Sequence, residues 1–177
     1  PAATPRPTLP AALGSVSTYR EAIVGLPATL NPLLAAADPE WDVARLLFAG
    51  LTRTDGRGVV EPDLAERWTI SDDGRVYTFT LRADATWHDG RPVTSADVVF
   101  TVRLLQDPAF PGGRAAGGLW RTVQVHAPSP ALVRFTLSEP YAPFLSRTAF
   151  PLLPAHLLRG VYPGDLAGHA FGQRPIG

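Results

Sequence analysis

The sequence predicts an α+β fold with mostly antiparallel strands, on three observations. The segment "VYTFTLR" alternates, with Tyr77, Phe79 and Leu81 on one face of a strand. Three Asp-Gly pairs mark tight turns between apolar segments, at residues 55–56, 73–74 and 89–90. Helical patterns are interspersed irregularly, with no internal repeat and no regular strand–helix alternation. The 177 residues are enough for one domain or one and a half.

The first third of the chain is predicted to contain a short buried strand, a loop and a helix. The apolar run at residues 22–24 ends at Gly25 and Pro27, which favours the strand. Asn31-Pro32 favours a turn. Asp38 is the expected N-cap of the helix, with a proline at its first position. Ala44, Leu47, Phe48 and Leu51 recur at helical spacing and form the expected apolar face of this helix. Gly50 lies near its expected end.

The central part of the chain is predicted to pack one helix on an antiparallel sheet. The predicted strands cover residues 76–82, 121–126 and 131–137. Thr94 is the expected cap of a helix over about 95–105, with Asp97 as the acid of a capping box. The apolar stripe of that helix comprises Val98, Val102 and Leu105. A Gly/Pro-rich loop at 107–118 separates helix and strand, and Pro143 opens a later helix.

Composition argues against several classes of protein. The formal net charge is zero and every basic residue except histidine is arginine. A nucleic-acid binder normally carries a basic excess, so none is expected as a partner. Cysteine is absent, which excludes disulfides, thiolate metal sites and a cysteine nucleophile.

No apolar run reaches the length of a membrane span. The first 15 residues are a Pro/Ala-rich linker, although "PRPTLP" also fits a polyproline ligand.

Candidate catalytic groups are few, and each has a simpler structural interpretation. His88-Asp89 fits a base with its orienting carboxylate, and Asp72-Asp73 fits a pair of hydrolytic acids, but both sequences are also ordinary turns. The histidines lack the spacing of a helical zinc site. We therefore predict no catalytic residue, no metal, no cofactor and no enzymatic activity. Trp41, Trp68 and Trp87 are expected in or beside the core, whereas Trp120 fits core or ligand contact equally well.

One long segment carries a family resemblance. The residues "EPDLAERWTISDDGRVYTFTLRADATWHDGRPVTSADVVFTV" resemble the signature region of the family 5 extracellular solute-binding proteins, the dipeptide, oligopeptide and nickel receptors of bacterial ABC importers. Further matching motifs are "LNP" at 30–32, "LLFAGL" at 46–51, "LSEPYAPFL" at 137–145 and "LLPAHLL" at 152–158. The resemblance runs from about residue 19 to 177. The Gly-rich insertion around 111–118 departs from it.

The resemblance implies a periplasmic-binding-protein-like class II fold and a division of the chain. Residues 1–15 are then the linker, 16–48 the opening segment of lobe I, 49–148 a small structural accessory domain, and 149–177 the return segment of lobe I. The second lobe is expected beyond residue 177, which makes the chain an N-terminal fragment. In this interpretation the alternating strand at 77–82 and the turn at 89–90 have a structural role, and ligand recognition lies elsewhere.

The implied function is binding of a peptide or another small solute by closure of two lobes. The implied partner is the membrane permease of an ABC importer, and the implied protein is an extracytoplasmic monomer, lipid-anchored in the periplasm or at the cell surface. The alternative is a non-catalytic interaction or adhesive module. Leu33, Leu34, Trp120 and Phe150 are the expected ligand-binding residues, located by neighbouring motifs. The competing interpretation is that all four pack within the lobe.

Overall fold

The computed structural model describes residues 22–112 and 118–177. The predicted linker, the first residues of the predicted opening segment and the middle of the Gly-rich insertion lie outside the described residues. No helix in the part of the chain that the structure describes is long and apolar enough to cross a membrane.

The described chain is α+β, as predicted. The helices whose full extent lies within the described residues are α1 (Asp38–Leu47), α2 (Ser95–Gln106), α3 (Phe144–Arg147) and α4 (Ala155–Leu158), and two 3₁₀ helices follow at Pro163–Gly168 and Ala170–Gly172. Residues 118–120 are helical as well. The strands are β1 (Thr52–Thr54), β2 (Val60–Pro62), β3 (Ala65–Ile70), β4 (Val76–Leu81), β5 (Gln124–Ser129) and β6 (Leu132–Thr136).

All described strand pairs are antiparallel. β1 and β2 form a two-stranded hairpin, and the other strands form one sheet in the order β3-β4-β6-β5. The strand predicted at 76–82 is confirmed, whereas β3 had no clear signal because its residues lack alternation of apolar side chains. The strand predicted from residue 121 begins only at Gln124. The preceding residues turn instead, with the N–H of Thr122 donating to the carbonyl of Leu119 over 3.1 Å.

The predicted core of the sheet is confirmed. Tyr77, Phe79 and Leu81 are buried on one face of β4, and Phe79 has no exposed surface. Its ring meets that of Phe135 on β6 edge-on, with centroids 5.6 Å apart. The stripe of α2 is buried as well, through Val98, Val102 and Leu105.

Two details of the opening region differ from the prediction. Residues 22–24 form no strand, and Val24 is 93% exposed, so an apolar run of three was too short to specify one. The N-cap of α1 is Ala37, and Asp38 is already helical. The capping function belongs to Glu40, whose carboxylate accepts the backbone N–H of Ala37 over 3.1 Å.

Gly50 has a packing role and does not end α1 in a left-handed conformation. A Cβ on this residue would lie 2.8 Å from the carbonyl carbon of Ala149 and 2.9 Å from the carbonyl oxygen of Phe150. The segments at 50–52 and 148–152 therefore approach closely. Backbone bonds fix them, including Leu152 N–H to Ala49 O at 3.0 Å.

Three of the four tryptophans lie in or beside the core. Trp87 and Trp120 are each 4% exposed, and Trp68 is half-buried against Phe79. The core expectation was wrong for Trp41, which is 41% exposed near the start of α1. Its spacing of three and seven residues from Ala44 and Phe48 places it in line with the buried residues of that helix, so the helical pattern alone does not account for its exposure.

Candidate functional site

Trp120 and Phe150 are in direct contact. Their ring centroids lie 4.8 Å apart at an interplanar angle of 72°, an edge-to-face arrangement. The Trp120 ring also packs against Phe144 and Phe135, at 5.9 and 6.0 Å. Trp120 is therefore enclosed by three phenylalanines, whereas Phe150 is only partly buried. Of the two rings, Phe150 has the larger exposed surface that a ligand could contact.

Gln106, at the end of α2, fixes the backbone that carries Trp120. Its side-chain amide donates to the carbonyls of Trp120 and Val123, both over 2.8 Å. The two bonds hold the turn that leads into β5. No sequence pattern indicated this role, because a glutamine at a helix end is usually a solvated residue.

Leu33 and Leu34 lie on an irregular loop that Asn31 organises. The Asn31 side chain is fully buried, and its Oδ1 accepts the N–H of Leu33 over 3.1 Å. The N–H of Asn31 itself donates to the Thr29 hydroxyl at 3.1 Å. The Nδ2 of Asn31 has no partner among the described residues. Both leucines are half-buried against the core, so each retains an exposed part.

Glu40 ties the start of this loop to α1. Its carboxylate accepts the N–H groups of Ala36 at 2.6 Å, Ala37 at 3.1 Å and Ala28 at 3.1 Å. The bonds from Ala36 and Ala37 are the main reason that the pKa of Glu40 lies below its ordinary value of 4.5. A charged carboxylate that is 5% exposed thus holds the two ends of the loop at residues 28 and 36. The sequence predicted Glu40 only as an acid in the first turn of the helix, after Asp38 as the cap, and did not predict these bonds.

The structure brings the four predicted residues onto one hydrophobic core. Leu33, Leu34 and Phe150 pack on it from its edge, and Trp120 is part of it. Trp120 and Phe150 form one contact pair, whereas Leu33 is bonded to Asn31 and its carbonyl lies beside Gly112. The arrangement offers apolar side chains with few polar groups, which suits recognition and not bond breaking.

The residues considered for catalysis are used in turns and packing. The carboxylate of Asp89 pairs with His156, 2.8 Å away, and not with His88. His88 binds the backbone of Gly177 through its N–H and its Nδ1. Asp73 accepts the Ser71 hydroxyl at 2.5 Å within its turn. Among residues 22–112 and 118–177, no three His, Asp or Glu side chains come together as a metal site.

A separate open cavity of about 650 Å³ lies between the end of α1, β1 and the turn at 86–88. Burial raises the pKa of Asp63 at its edge. Trp87 also borders it, and its indole N–H has no partner within the described ranges. The carboxyl of Asp63 is therefore partly desolvated at the edge of the cavity, whereas the indole N–H of Trp87 is buried and unpaired within the described ranges. The sequence indicated neither property.

The protein-family model of the bacterial extracellular solute-binding proteins, family 5 (middle region), matches residues 59–177. Protein XP55 of Streptomyces lividans is 34% identical over 93% of this chain and 30% of its own length. The periplasmic murein peptide-binding protein MppA of Escherichia coli K12 is 45% identical over 46% of this chain and 15% of its own. The chain thus spans less than a third of either relative.

The fold agrees with solved structures. The oligopeptide-binding protein AppA of Bacillus subtilis, in complex with a nonapeptide, superposes with a TM-score of 0.79 at 29% identity. The match covers 88% of this chain and 31% of AppA. It confirms the predicted class II periplasmic-binding-protein fold. The family consists of binding proteins without catalytic function, which confirms the prediction of a non-enzyme. The chain belongs to the bacterial extracellular solute-binding proteins, family 5.

Proposed function

We propose that this chain is part of an extracytoplasmic substrate-binding protein of an ABC importer and that its solute is a peptide. The observation that carries the proposal is the superposition on a peptide-loaded oligopeptide-binding protein over 88% of the chain. MppA, a murein peptide-binding protein, supports the same ligand class. The membrane partner is then the permease of the importer, and the protein acts as a monomer that delivers its solute to it.

The periplasmic relatives support a location outside the cytoplasm, at the periplasm or cell surface. A lipid anchor is part of the proposal, since a receptor that serves a membrane permease gains from a high local concentration beside it. Detection of the protein in a membrane fraction, released by detergent and not by salt, tests this anchor. Recovery in the cytosolic fraction would contradict both location and anchor.

The proposed domain division draws support from contacts between distant parts of the chain. Leu30 donates its N–H to the carbonyl of Gly172 over 2.7 Å, and the Phe48 ring lies 6.1 Å from that of Phe171. The segment before residue 49 and the segment after 148 thus share one packed unit, as a discontinuous lobe I requires. Residues 49–148, which hold both sheets and α2, form the accessory domain in this division.

Leu33, Leu34, Phe150 and Trp120 form one wall of the proposed cleft, which a second lobe closes. Leu33, Leu34 and Phe150 are half-buried and offer apolar contact area to a ligand. Trp120 is buried and packs against the Phe150 ring. An extended peptide between two lobes gains affinity from backbone hydrogen bonds and specificity from side-chain pockets. The apolar wall suits its side chains, and the second lobe supplies the remaining partners.

Isothermal titration calorimetry on the full-length protein tests this function. The probes are trialanine and the nonapeptide RPPGFSPFR, with a nickel–histidine complex as the non-peptide alternative. We expect micromolar or tighter binding of at least one peptide and a more compact particle by small-angle scattering when it is bound. Binding of the nickel complex alone, or of none of the three, would contradict the peptide assignment.

A further inference from the structure

α2 and β5 border an open groove of about 500 Å³ on the accessory domain. Its floor is apolar, with Val99 and Phe100 from α2 and Val125 from β5, all partly buried. Phe100 and Val125 also pack on the main hydrophobic core, which holds the floor of the groove in place. None of these residues belongs to the proposed cleft wall.

The rim of the groove is positively charged. Arg103 of α2 and Arg159, just after α4, both line the groove, and both are exposed. Neither forms an ion pair with any residue of the described ranges. No Asp or Glu lines the groove. Because the whole chain has zero net charge, this local excess of arginine is not a consequence of composition.

A smaller hollow of about 330 Å³ adjoins the groove, and Ala96 and Arg159 line both. It adds Arg91, whose guanidinium lies a loose 3.8 Å from Asp89. The one carboxylate lining the hollow, that of Asp97, is already bonded to Thr94 and Ala155. The hollow thus adds an arginine paired with Asp89 and a buried, hydrogen-bonded carboxylate, so, among the described residues, the unpaired arginines of this surface are those of the groove itself.

β5 gives the groove a backbone edge. It is the last strand of the four-stranded sheet and pairs only with β6 among the described strands. Residues 96–103 of α2 run about 10 Å along the groove, at about 1.5 Å per residue. An extended segment of about three residues covers that length. A polypeptide can pair with a free strand edge and place alternate side chains on the apolar floor.

We propose that this groove, formed by α2, β5 and Arg159, is a docking surface for an extended acidic segment of a partner protein, with apolar residues alternating between the carboxylates. The acidic side chains meet Arg103 and Arg159, and the apolar ones cover Phe100 and Val125. A charged surface alone would suit an anionic membrane equally well. The apolar floor and the strand edge favour a polypeptide.

The test is fluorescence anisotropy with the labelled peptide EVEVEV at low ionic strength, on the full chain. The double variant Arg103→Glu/Arg159→Glu reverses both rim charges. The control Arg57→Glu/Arg147→Glu makes the same change of charge at two exposed arginines outside the groove. We expect the Kd to rise at least about tenfold in the groove variant and less than about twofold in the control, because close charge pairs act locally. Circular dichroism verifies that each variant is folded.

Two further peptides separate the contributions. KVKVKV should not bind, and ESESES should bind more weakly than EVEVEV because it leaves the floor uncovered. Equal loss of affinity in the groove and control variants, equal binding of EVEVEV and ESESES, or no binding of EVEVEV would overturn the proposal. Sedimentation with phosphatidylglycerol vesicles that depends on Arg103 and Arg159, without peptide binding, would assign the surface to a membrane instead. None of these results bears on solute binding in the cleft.

Discussion

The Asp97 carboxylate at the start of α2 accepts the backbone N–H of Ala155 over 2.9 Å, and this bond joins α2 to the start of α4. Its other oxygen accepts the N–H of Thr94 at 2.8 Å, which completes the predicted capping interaction. One turn later, the Thr101 hydroxyl accepts the N–H of Leu153 at 3.0 Å. Residues 153–155 are therefore attached to α2 by two buried polar bonds.

Replacement of Asp97 should destabilise the fold through both of its bonds. Asp97→Ala removes a helix cap and leaves the buried N–H of Ala155 without an acceptor, at a combined cost of about 2–4 kcal/mol. A urea titration measures this cost. Asp42→Ala, on the exposed face of α1, should cost less than about 0.5 kcal/mol. Equal costs for the two variants would contradict a structural link at Asp97.

The Phe79 side chain should be a main contributor to stability, because it is fully buried against Phe135 and Trp68. Phe79→Ala should lower the free energy of unfolding by about 3–5 kcal/mol. Ile70→Ala, at a 46% exposed position on β3, should cost less than about 1 kcal/mol. A denaturant titration of both variants decides the point. A small loss for Phe79→Ala would place its ring outside the core.

Gly50 should tolerate no side chain. The Cβ of Gly50→Ala would meet the backbone of residues 149–150 at 2.8–2.9 Å, so one of the two segments must move. We expect a loss of about 1–3 kcal/mol in a thermal or urea melt. Gly56→Ala is the matched control, since a Cβ there has no atom within 4 Å. A Gly50→Ala protein as stable as the control would show that the close approach is not rigid.

The stability contributed by Glu40 should depend on pH. Its folded-state pKa lies below 4.5, mainly through hydrogen bonds from Ala36 and Ala37. The contribution is therefore present above the unfolded value and is lost as pH falls through the folded one. At pH 7 the urea concentration at the midpoint of unfolding should be higher for the wild type than for Glu40→Gln. This difference between the two midpoints should become smaller below about pH 4.5. The exposed Glu139→Gln serves as the control, and a constant difference at all pH values would contradict the prediction.

The sequence predicted those parts of the fold that local patterns specify. Strict alternation identified β4, and the stripe with its Thr94–Asp97 cap identified α2. β3 was not predicted because apolar and polar residues alternate poorly along it. The apolar run at 22–24 suggested a strand, but these three residues form none, since a strand requires a pairing partner as well as apolar residues.

The candidate site was less accessible to sequence reasoning, because its geometry depends on distant contacts. Trp120 was equally compatible with core and ligand contact, and its burial follows from Phe144 and Phe150, more than 20 residues away. Asn31 and Gln106 act through side-chain bonds to backbone groups, which no periodic pattern reveals. The charged groove arises only when α2, β5 and the end of α4 meet.

The two aromatic residues of the proposed wall should respond differently to truncation. Trp120→Ala removes a ring that is 4% exposed and packed on three phenylalanines, so it should lower the free energy of unfolding by about 3–5 kcal/mol. Phe150→Ala removes a half-buried ring at the edge of that cluster. It should cost less stability and, in the full-length protein, weaken peptide binding by about 1–3 kcal/mol if the ring contacts the ligand.

Calorimetry with the peptide that binds best, together with melting of the ligand-free protein, separates the two effects. Leu157→Ala, at a 46% exposed position outside the wall, is the control and should change neither quantity by more than about 0.5 kcal/mol. Unchanged affinity in Phe150→Ala, with stability reduced, would assign Phe150 to packing alone. Because Trp120 reaches the proposed cleft through Phe150, the wall would then be reduced to the loop that carries Leu33 and Leu34.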